Sequence, residues 1–266
     1  MTSGAPTDRA TLRRQYADGS SLDARSSIYA WQTPRHDLVA EVARFVDATC
    51  GAVVDVGCGR GQYLAGLAAA GVPVMGLDLS PGLAGAARAA SGCPTMIGDA
   101  VALPFADGAV GTSLALHMLY HLPDPADGLR ELRRITRPGG RIVILTNGRD
   151  HLAAYRDLIR EATGLGERLA WPGSEFSLDH RDLVESILGP VQLVDLRGRV
   201  DLPSIDPLIG YLEASRDFYE AQGGRPWPEV VDRFTAAAHQ RLEPDGTFLL
   251  TSHSGIFIAD RRADPV

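Results

Sequence analysis

The sequence predicts an α/β protein built on a mostly parallel sheet covered by helices on both faces, and three observations predict it. Apolar strands and helical segments alternate through residues 36 to 148. The strands AVVDVG, VPVMGLDL and RIVILTN are apolar without period-two alternation, as strands buried on both faces are. Three successive strands also end in an acid, Asp55, Asp78 and Asp99, on the carboxyl edge where open sheets of this kind bind ligands.

Residues 1–35 are polar and mixed and read as an N-terminal lid segment, with a short helix in LDARSSIYAWQTPR interrupted by Pro34. From His36, HDLVAEVARFVDA places Leu38, Val39, Val42, Phe45 and Val46 on one helical face. The strand AVVDVG follows, then the helix QYLAGLAAAG ended by Gly71, then the strand VPVMGLDL. In SPGLAGAARAA, Ser80 is the N-cap and Pro81 the first helical residue. PTMIGDA and AVGTSLALH are strands, DPADGLRELRRIT is an amphipathic helix, RPGG a turn and RIVILTN a buried strand. Beyond residue 148 come two helices, HLAAYRDLIREATG and SLDHRDLVESILG, and the strand VQLVDLRGRVDL. Two more helices, DPLIGYLEASRDFYEAQ and PEVVDRFTAAAHQRL, precede the last strand, TFLLTSHSGIFIAD. Residues 36–266 are expected as one domain carrying a helical cap at about 200–246.

With 266 residues, 45% hydrophobic and 22% charged, the chain can bury a sizeable core. Its net charge of −7, with no dense basic window, disfavours nucleic acid and an anionic membrane surface. Three cysteines, Cys50, Cys58 and Cys93, without metal spacing, fit a reduced, cytoplasmic chain. The first residues lack the apolar run of a secretory signal, and Gly, Arg and Asp break every apolar stretch short of a membrane span.

Gly57, Gly59 and Gly61 follow the strand VVDV at alternate positions, and a residue without Cβ lets the backbone approach a ligand closely. The dinucleotide fingerprint wants its third glycine one position later. The phosphate-binding P-loop wants Lys–Ser/Thr where Gln62–Tyr63 stand. Asp55, two positions before the first glycine, repels a pyrophosphate but suits an ammonium or sulfonium group. Asp78, at the end of the next strand, lies where such folds take ribose hydroxyls.

With these residues in place, the chain resembles the class I S-adenosylmethionine-dependent methyltransferases, in their small-molecule, methyltransferase-11-like branch. VVDVGCGRG looks like their first motif and GLDLS like the second; GDAVALPFADGAVGTSLALHMLYHLPDP and LRELRRITRPGGRIVI look like the segments that follow. The resemblance covers about residues 36–148 and implies a Rossmann-like, doubly wound sheet of seven strands whose last is antiparallel. It implies S-adenosylmethionine as methyl donor and S-adenosylhomocysteine as product; no His/Cys/Glu cluster has metal spacing, so no metal is expected. It puts Asp55, Gly57 and Gly59 at the methionyl end of the donor, with Cys58 between them as a small filler. Asp78 takes the ribose with Leu79 against the adenine, and Asp99 takes the adenine amino group with Ala100 nearby. Gly61 is read as helix packing.

LALHMLYHLPD offers His117, Tyr120 and His121 beyond the fourth strand. A base is needed only where the acceptor keeps a proton, and histidine suits neutral pH. His117 is read as a base or as a contact to donor or acceptor, His121 as a base or a packing residue, and Tyr120 as pocket lining or core. His36 and His151 are placed on exposed helix starts, His180 and His239 on helices, and His253 in packing. The cap is expected on the acceptor side, and acceptor recognition is assigned to the N-terminal segment and residues 149–246. Its candidates are Tyr16, Tyr29, Tyr211, Phe218 and Trp227 beside Tyr120, aromatics that at helical spacing serve cap core as readily as a pocket.

The expectation is methyl transfer to a small, largely apolar acceptor by in-line displacement, in secondary metabolism, by a monomer or homodimer. One alternative is a quinone or prenyl/lipid-precursor methyltransferase; another is a non-catalytic donor-binding regulator or partner subunit. Asp55 and the glycine spacing disfavour a nicotinamide oxidoreductase, and the net charge disfavours a tRNA or rRNA methyltransferase.

Overall fold

A residue that precedes proline is pushed towards extended backbone, and Thr33, before Pro34, ends a short strand in the computed structural model, which describes residues 26–171 and 176–262. A 3-10 turn, Ser27–Trp31, leads into this strand, β1 (Gln32–Thr33). Helix α1 (Leu38–Ala43) is capped by Asp37, whose side chain accepts from the Ala40 amide. It is shorter than the apolar face predicts: Phe45 and Val46 donate to Val42 and Ala43, a tightened exit that ends the helix.

The expected alternation follows in order: β2 (Val53–Val56), α2 (Gln62–Ala69), β3 (Val74–Asp78), α3 (Pro81–Ser91), β4 (Thr95–Ile97), β5 (Val110–Leu116), α4 (Pro125–Ile135) and β6 (Thr136–Asn147). Ser80 caps α3 through the Leu83 amide with Pro81 at its first turn, and Asp124 caps α4 through the Ala126 amide. RPGG lies within β6 as a bulge: the β5 ladder passes from Val110–Thr136 to Thr112–Arg141, which leaves residues 137–140 outside the regular pairing. Further along come α5 (Ala153–Thr163), α6 (Arg181–Leu188), β7 (Gln192–Leu202), α7 (Asp206–Glu213), α8 (Arg216–Glu220), α9 (Trp227–His239) and β8 (Phe248–Asp260). The segment expected as one helix over DPLIGYLEASRDFYEAQ breaks at Ala214–Ser215 into α7 and α8.

The sheet has eight strands in the order β1-β7-β8-β6-β5-β2-β3-β4. Strands β6, β5, β2, β3 and β4 run parallel, and β8 is antiparallel to β6, as expected of the last strand. The strand beyond the expected seven is β1, which pairs antiparallel with Val200 and Arg199 of β7.

Two compact units divide the chain. Among the described residues, one comprises 37–147, 176–195 and 254–262, the other 26–36, 148–171 and 196–253. The first unit's core interleaves Val54, Val56, Leu77, Ala115, Leu129, Leu132, Ile142, Ile144 and Phe257 with Val184 and Leu188 of α6. The second unit has its own core, in which Ile28, Tyr155, Leu158, Ile159, Leu208, Leu212, Phe234 and Phe248 are buried. The helices over about 200–246 therefore share a unit with residues 26–36 and 148–171.

The glycine loop between β2 and α2 is shaped by two unlike requirements. Gly57 has φ +69°, and a Cβ there would lie 2.8 Å from the Met118 Cβ. Gly59 has φ +55°, but a Cβ there would meet nothing within 4 Å. The two substitutions should separate accordingly. Gly59→Ala is expected to cost about 1 kcal/mol, the strain of a left-handed non-glycine residue. Gly57→Ala adds overpacking to that strain, about 1–3 kcal/mol more; urea unfolding of the ligand-free protein checks the difference. In the same assay Leu129→Ala, at a fully buried position, should cost about 2–5 kcal/mol. Leu249→Ala, 42% exposed, should stay within about 0.5 kcal/mol of the parent.

Candidate active site

Strand β2 is buried along its whole length, which places a carboxylate, Asp55, inside the sheet. Asp55 is 1% exposed, and among the described residues neither of its oxygens has a hydrogen-bond partner. Burial, and next the charge of Asp78, push its carboxyl up to about 8. After Val56 the chain turns over the end of β3, with the Gly57 and Cys58 amides both donating to the Leu77 carbonyl at 2.7 and 3.0 Å.

Asp78 is held from two sides. The Gly59 amide donates to its Oδ2 at 2.9 Å, and the Ser80 amide to its Oδ1 at 2.8 Å. Burial raises this carboxyl, and the Ser80 and Gly59 amides pull it partly back. One side chain thus ties the glycine loop of β2 to the start of α3. The three acids are stepped across the sheet. Asp55 is level with Gly76, Asp78 lies two residues beyond Gly76 and level with Ile97, and Asp99 lies two beyond Ile97. Asp99 closes its own turn, its Oδ1 accepting from the Val101 amide and its carbonyl from the Ala102 amide. Ala100 beside it is buried, and Leu79 after Asp78 is half-buried.

Cys58 is buried, and its side chain packs on β3: a Cβ at Gly76 would come within 2.7 Å of the Cys58 Sγ. Burial, then the charges of Asp55 and Asp78, push the thiol above its ordinary range, so it is no nucleophile. Gly61 packs on α3, where a Cβ would lie 2.8 Å from the Ala87 Cα.

His117 follows β5 with φ +57°, a conformation uncommon outside glycine, and its amide donates to the Leu145 carbonyl at 2.8 Å. Burial pushes its imidazole down to about 4, so the ring is neutral at physiological pH. Strand β5 lies beside β2 with Ala115 level with Val56, which brings His117 to the same carboxyl edge as Asp55. Tyr120 and His121 are half-buried and meet edge to face, their ring centroids 4.6 Å apart. Tyr120 also packs on the core of its unit.

The other candidates lie in the second unit. Tyr16 falls outside the described residues. Tyr29 is half-buried, its hydroxyl 2.8 Å from the His151 Nε2. Tyr211, half-buried on α7, meets Tyr155 edge to face at 4.7 Å. Phe218 and Trp227 are core residues, and the Trp227 indole donates to Glu213.

The expectation that His151 sits exposed at a helix start does not hold. His151 is buried, its Nδ1 accepting from the His253 amide at 3.1 Å and its Nε2 meeting Tyr29. A backbone amide can donate only to an unprotonated nitrogen, so His151 carries its proton on Nε2 and donates it to the Tyr29 hydroxyl. His253 is packed, as expected, and its Nδ1 is also hydrogen-bonded to Asp150, which Arg197 holds from the other side at 2.9 Å. No local pattern points to this network, because its partners lie 47 to 122 residues apart.

The residues at the carboxyl edge fit a cationic nucleoside. They offer a buried carboxylate without a partner, a second carboxylate held in place by two amides, and open space over Gly59. Among the described residues, no group of three His, Cys, Asp or Glu side chains is placed to hold a metal ion.

A methyltransferase-domain family model matches residues 54–144 of the chain, from β2 into β6. The demethylmenaquinone methyltransferase of Mycolicibacterium vanbaalenii is 40% identical over 92 residues, 35% of this chain and 40% of that protein. The chain thus spans about 40% of the length of the first curated relatives it matches. The methyltransferase GfsG of Streptomyces halstedii is 30% identical over 199 residues, 68% of this chain and 69% of that protein. The fold is shared with phosphoethanolamine N-methyltransferase 2 of Haemonchus contortus, solved with S-adenosylhomocysteine, at a TM-score of 0.56 and 15% identity over 95% of this chain and 59% of that one. An acid at or near the end of each of three neighbouring strands, a glycine loop bound to the second of them, and a relative that extends over two thirds of the chain together make it a member of the class I S-adenosylmethionine-dependent methyltransferases.

Proposed function

We propose that this chain transfers a methyl group from S-adenosylmethionine to a small, largely apolar acceptor, in secondary metabolism. The observation that carries the reading is Asp55, a buried carboxylate whose unpartnered oxygens suit a ligand bringing its own positive charge. Bound there, S-adenosylmethionine supplies a methyl carbon already activated by its sulfonium. What remains for the protein is alignment, and fixing two reactants in attacking geometry accounts for about 7–11 kcal/mol in the best intramolecular cases. Asp55, Gly57 and Gly59 hold the methionyl end, Asp78 with Leu79 the ribose and adenine face, and Asp99 with Ala100 the far edge of the base.

His117 contacts donor or acceptor as a neutral ring. With its imidazole near 4 it is a weak proton acceptor, so we assign it to positioning before base catalysis. Tyr120, in the unit that holds the donor residues, keeps exposed surface and is proposed for acceptor contact; Tyr29 and Tyr211 are half-buried in the other unit, where they pack on a core that includes Phe218 and Trp227. The protein acts in the cytoplasm as a monomer or homodimer, on a small molecule and not on nucleic acid, a reading supported by its three free cysteines and its net charge of −7. A quinone or prenylated acceptor is the second reading, favoured by the relatives that act on demethylmenaquinone.

Calorimetric titration tests the donor site. Asp78→Ala is expected to weaken S-adenosylmethionine binding at least tenfold, about 1.4 kcal/mol, and unchanged affinity would reject the assignment. Methyl transfer from labelled donor to a panel of phenols and quinols then tests the acceptor class. His117→Ala should lower turnover without moving the pH profile, whereas a lost acidic limb would make His117 the base. His121→Ala should leave the profile unmoved.

A further inference from the structure

Of the two buried carboxylates in the unit that holds the candidate site, Asp78 is satisfied by two backbone amides while both oxygens of Asp55 are buried without a partner. Among the described residues, no cation acts on Asp55. Asp78 on β3 bears the same charge, and among the described residues it is the charged group whose field, after burial, raises the Asp55 carboxyl. Cys58 in the loop and Tyr63 on α2 feel the charge of Asp55 and stay protonated, Tyr63 under the further influence of Asp37 before α1. His117, beyond β5, is neutral. A naked carboxylate in such a place is disfavoured by lost hydration and by its like-charged neighbour, and both penalties vanish if one oxygen carries hydrogen.

We propose that Asp55 holds a proton in the ligand-free protein and gives it up when the cationic end of the methyl donor enters, so that binding exchanges one proton for one positive charge. The proposal rests on the donor assignment above and goes beyond it. The O–H bond of the Asp55 carboxyl breaks, its proton passes to solvent, and the carboxylate left behind faces the charge of the ligand. No electron transfer is involved. The site therefore selects by charge as well as by shape: a neutral nucleoside of similar size leaves Asp55 protonated and gains nothing from it.

The sign follows from the protonation of each partner. Below about pH 8 the carboxyl must lose its proton before pairing, so donor affinity rises by up to tenfold per pH unit in that range. An α-amino group itself titrates at about 7.7–8.0, so affinity falls again once the ligand loses that charge.

The experiment is calorimetric titration of the full chain at pH 6.5 with S-adenosylmethionine, repeated in buffers of different ionisation enthalpy. The neutral nucleoside 5′-methylthioadenosine serves as control. Close to one proton released per donor bound, and none with the control, is the expected result. Asp55→Asn should abolish the release, weaken donor binding at least tenfold at pH 7.5 and flatten its pH dependence between 5.5 and 7.5. Donor binding without proton release in the parent protein overturns the inference while leaving the donor assignment intact. Release that persists in Asp55→Asn overturns it too, since the proton then sits elsewhere. If S-adenosylmethionine does not bind at any pH, the donor assignment itself fails and this inference with it. Should Asp55→Asn not fold, the proton count in the parent protein decides the matter alone.

Discussion

Everything at the carboxyl edge depends on the capture of the Asp78 carboxylate by two backbone amides that belong to different turns. The Gly59 amide lies in the turn that opens one crossover and the Ser80 amide in the turn that opens the next, and a single buried carboxylate satisfies both. This fixes the height of the glycine loop over β3, where the Gly57 and Cys58 amides are already spent on the Leu77 carbonyl. It also commits the sheet to an electrostatic conflict, because Asp55 on the adjoining strand lies within the field of the same anion. An apolar residue at position 55 would relieve that conflict, and the proposed role of the carboxyl group in donor binding supplies a reason for it.

Much of this architecture is legible in short stretches of chain, for a physical reason. Uninterrupted apolar strands, the Ser80–Pro81 start of α3 and the acids at or near the ends of β2, β3 and β4 are set by each segment's own periodicity and end chemistry, and the parallel order then brings the acids to one edge, each stepped two residues beyond the last. The glycines illustrate a limit. Their spacing marks a tight turn, but only the packed structure separates Gly57, crowded by Met118, from Gly59, which faces open space.

Features that depend on distant partners are illegible for the converse reason. β1 is too short to carry a pattern of its own and exists because β7 offers it a ladder. His151 follows a run of polar residues that reads as a surface turn, yet Tyr29 and the His253 amide, each more than a hundred residues away, draw it inside. Asp150 and His253 lie the same distance apart, and neither has a local signature. In α1 the apolar face outlasts the helix, since a tightened turn at Phe45 and Val46 serves the packing as well as another full turn would.

The two-part division of the chain also bears on how the protein is made. Each unit is assembled from three separated segments, and β8 contributes its first residues to one unit and its last to the other. The antiparallel partner of β6 is thus made more than a hundred residues after β6 itself, so the unit that holds β6 cannot close until that later stretch has been made. Contacts of such long sequence separation form slowly, and until they form, the edge of β6 offers unpaired amides and carbonyls to other chains. Expression yield should therefore respond to temperature and chaperone supply more than the equilibrium stability of the finished fold would suggest.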